Sequence, residues 1–378
     1  MKTYFVASGF VAKYPEGGGN FSVVLQYLLG LKRMGLRAIW LEVMPAMADP
    51  SEEARLAATF HRRLKAFGLE KDYCLLVTPS EGEMQADKAR NFGLRWKQIR
   101  SCLKGENVLL NLSGSLTAPF VLEFERRILC SLDPTEICFW MNRMEMGQSS
   151  HQEFATIGLN AMAPDSKVPR TKVTWKTFFP LVDCTRFEIE ARPKVDRFTT
   201  IGQWYWDGCV EFDGEWRDFS KKAAFAKFMN LPALVPEARF DLAMNLNADD
   251  PEIARLAAYG WNHRVPHQVA RTPAAYYEFI RQSSAEFSAV KLESHMRSGW
   301  LSDRSAVYLA MGRPVVTEST GAERVLPNQS GFFFVNNLEE AVDASKEVIG
   351  NWDRHSRDAR MCAEECFDAP RNLERILA

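Results

Sequence analysis

Residues 298–316 carry the most specific chemical signal in the sequence. They read Ser-Gly-Trp-Leu-Ser-Asp-Arg-Ser-Ala-Val-Tyr-Leu-Ala-Met-Gly-Arg-Pro-Val-Val. Ser302 is a good N-cap residue, and Asp303 suits the first turn of a helix because it interacts favourably with the helix dipole. Arg304 and Ser305 would then reach a phosphate at the amino end of this helix with a guanidinium and a hydroxyl group. The segment predicts an anion site, and the alternative is a solvated arginine at a helix end.

A glycine-rich loop follows the first predicted strand, in the order Glu16, Gly17, Gly18, Gly19 and Asn20. Three glycines let a ligand approach the backbone, and the start of the next helix offers N–H groups. Glu16 is the only carboxylate of this loop and stands where a general base could meet a ligand. The alternative is a purely architectural loop. The glycines lack the G-x-G-x-x-G spacing of dinucleotide-binding proteins, and no G-K-[ST] phosphate loop occurs. A nicotinamide-dependent oxidoreductase is therefore disfavoured.

Two histidines are candidates for chemistry. His151 precedes an irregular segment, and imidazole titrates near neutral pH, so His151 and Glu16 are the candidate bases for an acceptor proton. Structural or acceptor-binding roles are the alternatives for both. Lys291 lies near the carboxyl end of a predicted strand and adds a second cation to the anion site. His295, between Lys291 and Arg304, is a candidate phosphate contact.

Composition and charge exclude several classes of protein. The 378 residues include 47 basic and 48 acidic side chains, so no whole-protein field attracts nucleic acid or an anionic membrane. No stretch approaches the 18 or so apolar residues of a membrane span. The eight cysteines form no C-x-x-C pair, and Cys362 and Cys366 are expected to be buried free thiols rather than metal ligands. These features predict a cytoplasmic globular protein.

Short apolar runs alternate with amphipathic stretches, the pattern of parallel sheets covered by helices. We predict two tandem doubly wound α/β domains, residues 1–193 and 194–350, and a helical segment at 351–378 that packs back on the first domain. The predicted strands are 3–8, 37–43, 73–77, 107–112, 136–141, 198–204, 240–246, 287–291 and 314–318. The predicted helices are 21–34, 51–67 with Ser51 as its cap, 219–228, 250–259, 274–282, 302–311, 338–348 and 354–377.

The glycine loop, the two α/β halves and the segment at 298–316 together resemble the GT-B glycosyltransferases. The motif S-G-W-L-S-D-R-S-x-x-Y-L-A-x-G-R-P-V-V is similar to that of a bacterial branch of this superfamily. Three further segments also resemble that branch: Thr199-Thr-Ile-Gly-Gln-Trp204, Ala285-Glu-Phe-Ser288, and His151 with the following Thr156-Ile-Gly158.

The resemblance implies two Rossmann-like domains that face a cleft, with a nucleotide sugar on the C-terminal domain and an acceptor on the N-terminal one. It implies metal-independent sugar transfer without a bound cofactor, and the sequence has no D-x-D triplet for a cation. The acceptor is a small molecule, a glycan or a lipid; no nucleic acid is expected, and a homodimer is one expectation. The residues carried over as donor-binding are Gly17, Gly18, Gly19, Gly202, Trp204, Lys291, Ser302, Asp303, Arg304 and Ser305, with Lys291 and Arg304 on the diphosphate.

The sequence departs from the family pattern at one point. Many retaining members have two glutamates in the late motif with seven residues between them, and the second contacts the ribose. Gly299 and Val307 hold these positions here, and Asp303 is one substitute for the ribose contact. The departure leaves the retaining or inverting outcome open. It also keeps two alternatives, a catalytically inactive nucleotide- or glycan-binding protein and a nucleotide-sugar epimerase.

Overall fold

The chain folds into two compact units. The computed structural model describes residues 2–79, 89–206, 209–212, 214–218 and 220–378. Unit 1 contains Met1–Gly158, Pro169–Leu181 and Ala369–Ala378, and unit 2 contains Leu159–Val168 and Val182–Asp368. The domain boundaries at 193 and 350 stay a prediction. The two compact units are divided at other positions, because the chain passes between them more than once. No helix among the described residues has the length and apolar character that a membrane crossing needs.

Unit 1 is built on an eight-stranded sheet with the order β4-β3-β2-β1-β5-β6-β7-β8. Its strands are β1 (Thr3–Ser8), β2 (Arg37–Pro45), β3 (Tyr73–Thr78), β4 (Arg90–Gly93), β5 (Asn107–Leu112), β6 (Arg126–Ser131), β7 (Glu153–Thr156) and β8 (Trp175–Thr177). Neighbouring strands are parallel, except that β4 is antiparallel to β3. Strands β1, β3 and β5 are buried along their whole length, as expected for a parallel sheet covered on both faces.

Among its described residues, unit 1 has five α-helices: α1 (Gly18–Arg33), α2 (Pro50–Lys65), α3 (Trp96–Leu103), α4 (Pro134–Met141) and α14 (Ala369–Leu377). Helix α14 packs on α1. A Cβ atom on Gly30 would lie 2.6 Å from Leu373 Cδ1 and 2.7 Å from Ala369 Cβ, so this contact requires glycine. Helix α2 is capped by Asp49, whose side chain accepts a hydrogen bond from the Ser51 N–H at 2.8 Å.

Two predictions for unit 1 are wrong. The segment 136–141 lies in helix α4 rather than in a strand, because Pro134 supplies the fixed φ that favours the first turn of a helix. A six-residue apolar run does not by itself distinguish a strand from a buried helix. Ser51 is not the cap of α2, since Asp49 takes that role and Pro50 begins the helix.

Unit 2 contains a six-stranded sheet with the order β13-β12-β9-β14-β15-β16, in which all paired neighbours are parallel. Its strands are β9 (Arg197–Gln203), β12 (Arg239–Asn245), β13 (Trp261–Arg264), β14 (Ala285–Ser288), β15 (Val315–Glu318) and β16 (Phe332–Val335). Counted along the chain, this is the 3-2-1-4-5-6 order of dinucleotide-binding domains. A separate antiparallel hairpin, β10 (Cys209–Phe212) and β11 (Glu215–Asp218), follows β9.

Nine helices surround this sheet among the described residues. They are α5 (Lys221–Phe225), α6 (Leu231–Leu234), α7 (Pro251–Ala258), α8 (Pro266–Val269), α9 (Pro273–Arg281), α10 (Glu293–Met296), α11 (Asp303–Ala310), α12 (Leu338–Gly350) and α13 (Trp352–Cys362). The predicted helix 302–311 is confirmed, with Ser302 as its cap. Helix α5 starts at Lys221, and residue 219, where the predicted helix begins, lies outside the described residues. Strand β14 ends at Ser288, so Lys291 lies beyond it rather than in it.

Candidate functional site

The candidate site lies at the carboxyl edge of the sheet in unit 2, between β9 and β14. The strand order reverses at this point, and open α/β sheets bind ligands beyond the carboxyl ends of their strands at such a switch point. Gly202 stands near the end of β9, and a Cβ atom there would lie 3.8 Å from Lys221 Cε. Ser288 ends the neighbouring strand β14. The fold therefore brings the predicted Gly202 beside a lysine that the sequence analysis did not single out.

Lys221 is the buried cation of this site. Its residue is 6 % exposed, and its Nζ donates hydrogen bonds to Ala289 O at 2.5 Å and to Ser288 Oγ at 3.4 Å. Burial, followed by the positive charges of Arg304 and Lys291, lowers the pKa of Lys221 to about 7. Both of these acceptors are neutral oxygen atoms. The nearby carboxylates of Glu286 and Glu318 favour the charged form but do not offset the burial, so a bound anion would stabilise that form further.

A pattern in the sequence could have identified Lys221. Ser220 accepts a hydrogen bond from the Ala223 N–H at 3.2 Å and so caps α5, the first helix after the central strand β9. In dinucleotide-binding domains, this first strand-to-helix turn is where a diphosphate binds. The sequence Ser220-Lys221-Lys222 before an apolar run therefore indicates a candidate diphosphate contact. The pattern is hard to recognise because a long segment separates β9 from α5.

Arg304 is largely enclosed by protein, with 12 % of its side chain exposed. Its Nε donates to Glu286 Oε1 at 2.7 Å, its Nη1 to Ile201 O at 2.6 Å and its Nη2 to Ser288 Oγ at 3.0 Å. The carboxylate of Glu286 is fully buried, so the two form a buried ion pair. Arg304 thus links α11 to the ends of β9 and β14 and stands beside Lys221. Its direct contact with a diphosphate stays a prediction.

The other residues at the start of α11 also make contacts within unit 2. The Ser302 hydroxyl accepts a hydrogen bond from the Arg304 N–H at 3.2 Å, which is the capping contact that the sequence predicts. Ser305 is buried. Asp303 follows the cap in the first turn of α11. None of the residues 302–305 lines either of the two cavities described next.

Two adjoining cavities lie along the carboxyl edge of unit 2. The larger is about 370 Å³, and the β11 residue Trp216 and Lys291 are among its lining residues. The smaller is about 250 Å³ and extends toward Arg324 and Asn336. The residues that line both cavities are Lys227, Ser294, His295 and Glu318. Together they form a groove with cationic, acidic and aromatic side chains, which we call the carboxyl-edge groove.

Lys291 and His295 both line the carboxyl-edge groove, as the prediction of an anion site requires. The Lys291 Nζ lies 4.1 Å from the centre of the Trp206 ring, a cation–π contact. Burial, followed by the charge of Arg217, lowers the pKa of His295 below its ordinary value. The imidazole is therefore neutral above pH 7 and can act as a hydrogen-bond partner there.

Trp204 does not lie at a ligand surface, in contrast to the prediction. It is 1 % exposed and belongs to the hydrophobic core of unit 2, where its ring contacts Phe225 with the ring centres 5.5 Å apart. Its Nε1 donates to Glu252 Oε2 at 3.3 Å. The Trp204 indole is buried in the core, so the neighbouring Trp206, which is partly exposed, is the better candidate for contact with a ligand.

The glycine loop of unit 1 lies at the start of α1, as predicted. Gly17 is the N-cap residue, and its N–H donates to Tyr14 O at 3.0 Å, while Gly18 and Gly19 form the first turn. The buried carboxylate of Glu42 accepts hydrogen bonds from the N–H groups of Val11 at 2.8 Å and Ala12 at 2.9 Å and so fixes the chain before the loop. Burial raises the pKa of Glu42.

His151 is buried in unit 1 with both ring nitrogens in hydrogen-bond contact. Nδ1 lies 2.9 Å from Gly147 O, and Nε2 lies 3.0 Å from Asn111 Nδ2. A neutral ring that donates from Nδ1 and accepts at Nε2 satisfies both contacts. Burial lowers the pKa of His151 below its ordinary value, which favours this neutral form. The structure therefore favours the structural alternative for His151 over the role of a base.

Metal ligands are not assembled in the part of the chain that the structure describes, and the thiol of Cys362 is buried. No group of three or more His, Cys, Asp or Glu side chains in that part is arranged to hold a metal ion. The Sγ atom of Cys362 lies 3.1 Å from Asn328 O, and the hydrogen bond with Cys366, together with burial, raises its pKa. Such a thiol is inert toward metals and oxidants at neutral pH.

Comparisons with solved structures show the same two-unit fold in glycosyltransferases. An alpha-glucosyltransferase in complex with UDP and a 13-mer DNA containing an HMU base is 12% identical with a TM-score of 0.58, over 100% of this chain and 99% of that one. HepE of Anabaena in complex with UDP-glucose is 11% identical with a TM-score of 0.55, over 100% and 98% of the two chains. Sucrose-phosphate synthase from Thermosynechococcus elongatus is 10% identical with a TM-score of 0.52, over 100% and 97%. No protein-family model and no curated protein matches the sequence.

These matches confirm the predicted fold class. The protein has the GT-B fold, with two Rossmann-like units. At identities of 10–12%, the matches show the fold alone. A fold of this kind hosts many activities, so the function depends on the site itself.

Proposed function

We propose that the protein is a glycosyltransferase that moves a sugar from a nucleoside diphosphate sugar to an acceptor. The observation that carries this proposal is the buried ammonium group of Lys221, held by neutral oxygens at the switch point of unit 2. Lys291 lines the carboxyl-edge groove and supplies a second cation, whereas Lys221 lines neither cavity of that groove. The GT-B fold and the UDP or UDP-glucose bound to two of its structural neighbours support the same ligand class.

In the proposed reaction, the bond between the anomeric carbon of the sugar and the β-phosphate oxygen breaks. The electron pair leaves with the diphosphate, and a new bond forms from the anomeric carbon to an acceptor hydroxyl group, which loses its proton. Lys221 and Lys291 would neutralise the charge that develops on the leaving diphosphate, with the amino end of α11 as a further source of positive potential. These groups supply the positive charge that a divalent cation supplies in other transferases, so we propose that transfer needs no bound metal or other cofactor.

For the acceptor proton, we propose Glu16 as the first base to test. The structure engages both ring nitrogens of His151, whereas Glu16 lies in the loop before α1 and is partly exposed. The acceptor class is proposed only as a compound with a free hydroxyl group, in a small molecule, a glycan or a lipid. One neighbour was solved with DNA containing an HMU base, so such DNA belongs in the same acceptor panel.

A donor panel tests this proposal. The purified protein is titrated with UDP, GDP, TDP and ADP, and the tightest nucleotide is then supplied as its sugar conjugates with the acceptor panel, while nucleotide release is followed. We expect one nucleotide to raise the Tm, since a ligand at 100 times its Kd stabilises a protein by about 2.7 kcal/mol, and sugar transfer to follow. Nucleotide binding without turnover would indicate a binding protein instead. Conversion of the sugar without an acceptor would indicate an epimerase.

A further inference from the structure

The outer edge of β16 is an open side of the sheet in unit 2. In the part of the chain that the structure describes, β16 is the last strand of the sheet and pairs with β15 alone. The Val315 N–H donates to Gly331 O at 2.9 Å, and the Ser319 N–H donates to Val335 O at 2.9 Å. Because successive residues of a strand direct their backbone groups to alternate sides, the N–H and C=O of Phe334 point away from β15. Such an edge can pair with a further strand.

A groove of about 620 Å³ lies beside this edge, and we call it the β16 groove. Residues 332–336 line it, together with four carboxylates: Glu323, Glu340, Asp343 and Glu347. The last three lie on α12 at spacings of three and four residues, so they share one face of that helix. None of the described residues that line the groove is a lysine, arginine or histidine. The groove therefore attracts positive charge.

The carboxylates of the β16 groove differ in how far neighbouring groups compensate their charge. Oε1 of Glu347 lies 2.9 Å from His355 Nε2, and Oε2 of Glu340 accepts a hydrogen bond from a backbone N–H at 2.8 Å. Asp343 is exposed, and among the described residues it makes no hydrogen bond or ion pair. Oε2 of Glu323 likewise has no hydrogen-bond partner among them. Asp343 and Glu323 can thus accept hydrogen bonds from incoming cationic side chains.

Aromatic side chains cover both faces of β16. The rings of Phe332 and Phe334 stack on one face, with their centres 4.6 Å apart and their planes at 20°. Phe333 lies on the opposite face, where its ring centre is 5.0 Å from that of His355. Phe333 and Phe334 are partly exposed. Apolar side chains of an added strand would pack against these rings, as aromatic and β-branched residues do across neighbouring strands.

We propose that the β16 groove binds an extended basic segment of a partner protein, which adds to β16 as a further strand. The backbone of the segment bonds to the free N–H and C=O of Phe334, its lysine or arginine side chains reach the carboxylates, and its apolar side chains cover the phenylalanines. A second copy of this chain fits less well, because symmetric pairing of two β16 edges brings like charges together. Nucleic acids and anionic membranes are repelled by the same carboxylates.

The test measures binding of short labelled peptides to the full chain by fluorescence anisotropy. We expect a peptide of alternating lysine and valine to bind saturably, with an affinity that falls as salt is added. The same peptide with glutamate in place of lysine should not bind. A lysine peptide N-methylated at alternate residues keeps its charge but loses the N–H groups of one edge, so we expect its Kd to be about tenfold higher or more.

Two variants locate the contact. We expect Asp343→Lys to raise the Kd of the lysine peptide about three- to tenfold, because an attraction becomes a repulsion. Glu339→Lys is the matched control, since Glu339 is an exposed residue of α12 that does not line the groove, and the change in net charge is the same. We expect it to change the Kd by less than about twofold.

Four outcomes would overturn the proposal, and none of them bears on nucleotide binding or on the proposed function. They are the absence of saturable binding of the lysine peptide, equal weakening in Asp343→Lys and Glu339→Lys, equal affinity of the N-methylated peptide, and a dimer of the free chain that the lysine peptide does not dissociate. Equal weakening would indicate attraction by the whole protein, and equal affinity would exclude strand addition. The dimer would assign the edge to a second copy.

Discussion

Lys221 is buried, and the atoms that accept hydrogen bonds from its Nζ are a carbonyl and a hydroxyl oxygen. Its pKa of about 7 lies below the value of 10.5 for a free lysine. Between these two values the unfolded chain binds more protons than the folded one, so this residue makes the fold more stable as the pH rises from about 7 to about 10.5. The fold therefore bears an electrostatic cost at neutral pH that a bound diphosphate would remove.

The first prediction concerns the pH dependence of nucleotide affinity. A diphosphate binds the protonated form of Lys221, so its affinity should fall as the pH rises above about 7. We expect the Kd of UDP to rise by up to about tenfold per pH unit between pH 7 and 9. Calorimetric titration at pH 7, 8 and 9 measures this slope. A Kd that stays constant over this range in the wild-type protein would show that Lys221 does not titrate against the ligand.

At the scale of single residues, the sequence predicts which residue types belong to the site better than it predicts their contacts. It identified Lys291 and His295, which line the groove, because they fall close to a recognisable motif. It did not identify Lys221, because the acceptors of its hydrogen bonds, Ser288 and Ala289, lie 67 and 68 residues further along the chain. It misplaced Trp204, since a large aromatic residue at the end of a strand suits either a core or a stacking surface.

Helix α11 shows how one element connects the motif to the sheet. Its cap, Ser302, was predictable because capping depends on neighbouring residues only. The hydrogen bond from Arg304 to Glu286 was not predictable, because Glu286 belongs to β14, a separate element. The hairpin of β10 and β11 and the short edge strands β13 and β16 were not predicted either. Each of these strands has four residues, and so short a strand gives little periodic signal in the sequence.

The second prediction tests the ion pair between α11 and β14. Glu286→Gln leaves the guanidinium of Arg304 buried without its charged partner, and breaking a buried pair in this way typically costs about 3–5 kcal/mol. We expect the free energy of unfolding in urea to fall by about this amount. The matched control is Glu278→Gln, which breaks an exposed pair with Arg281 and should cost less than about 1 kcal/mol. Similar small losses in both variants would contradict the structural role given to Arg304.

The whole molecule is organised as two Rossmann-like units, and the end of the chain returns to the first of them. Helix α14 packs on α1 through Gly30, whereas α13 and the residues up to Asp368 belong to unit 2. The alternation of apolar runs and amphipathic stretches was sufficient to predict the fold class. The chain passes between the units at 158–182 and again at 368–369, and such crossings depend on long-range packing that no local pattern records.

The third prediction tests the packing of α14 on α1. Gly30→Ala places a methyl group within van der Waals overlap of Ala369 and Leu373, and overpacking of this kind costs about 1–3 kcal/mol. This loss should outweigh the gain in helix propensity, which is about 1 kcal/mol or less. In Gly350→Ala, where no atom lies near the added methyl group, we expect unchanged or increased stability. Thermal unfolding of the two variants measures the difference, and a stabilised Gly30→Ala protein would show that α14 is not docked as described.

The most direct test of the account is the affinity of UDP for Lys221→Met compared with Lys222→Met at pH 7. Lys222 is the adjacent residue, and its ammonium group pairs with Glu252 outside the proposed diphosphate contacts. We expect Lys221→Met to raise the Kd of UDP about 10- to 100-fold, as for the loss of one hydrogen bond between charged groups. The Tm of this variant should be unchanged or higher, because a buried charge is removed. Lys222→Met should change the Kd by less than about threefold, because the partly exposed ammonium group of Lys222 pairs with Glu252. Equal Kd values for Lys221→Met and the wild-type protein, with the fold intact, would contradict the account.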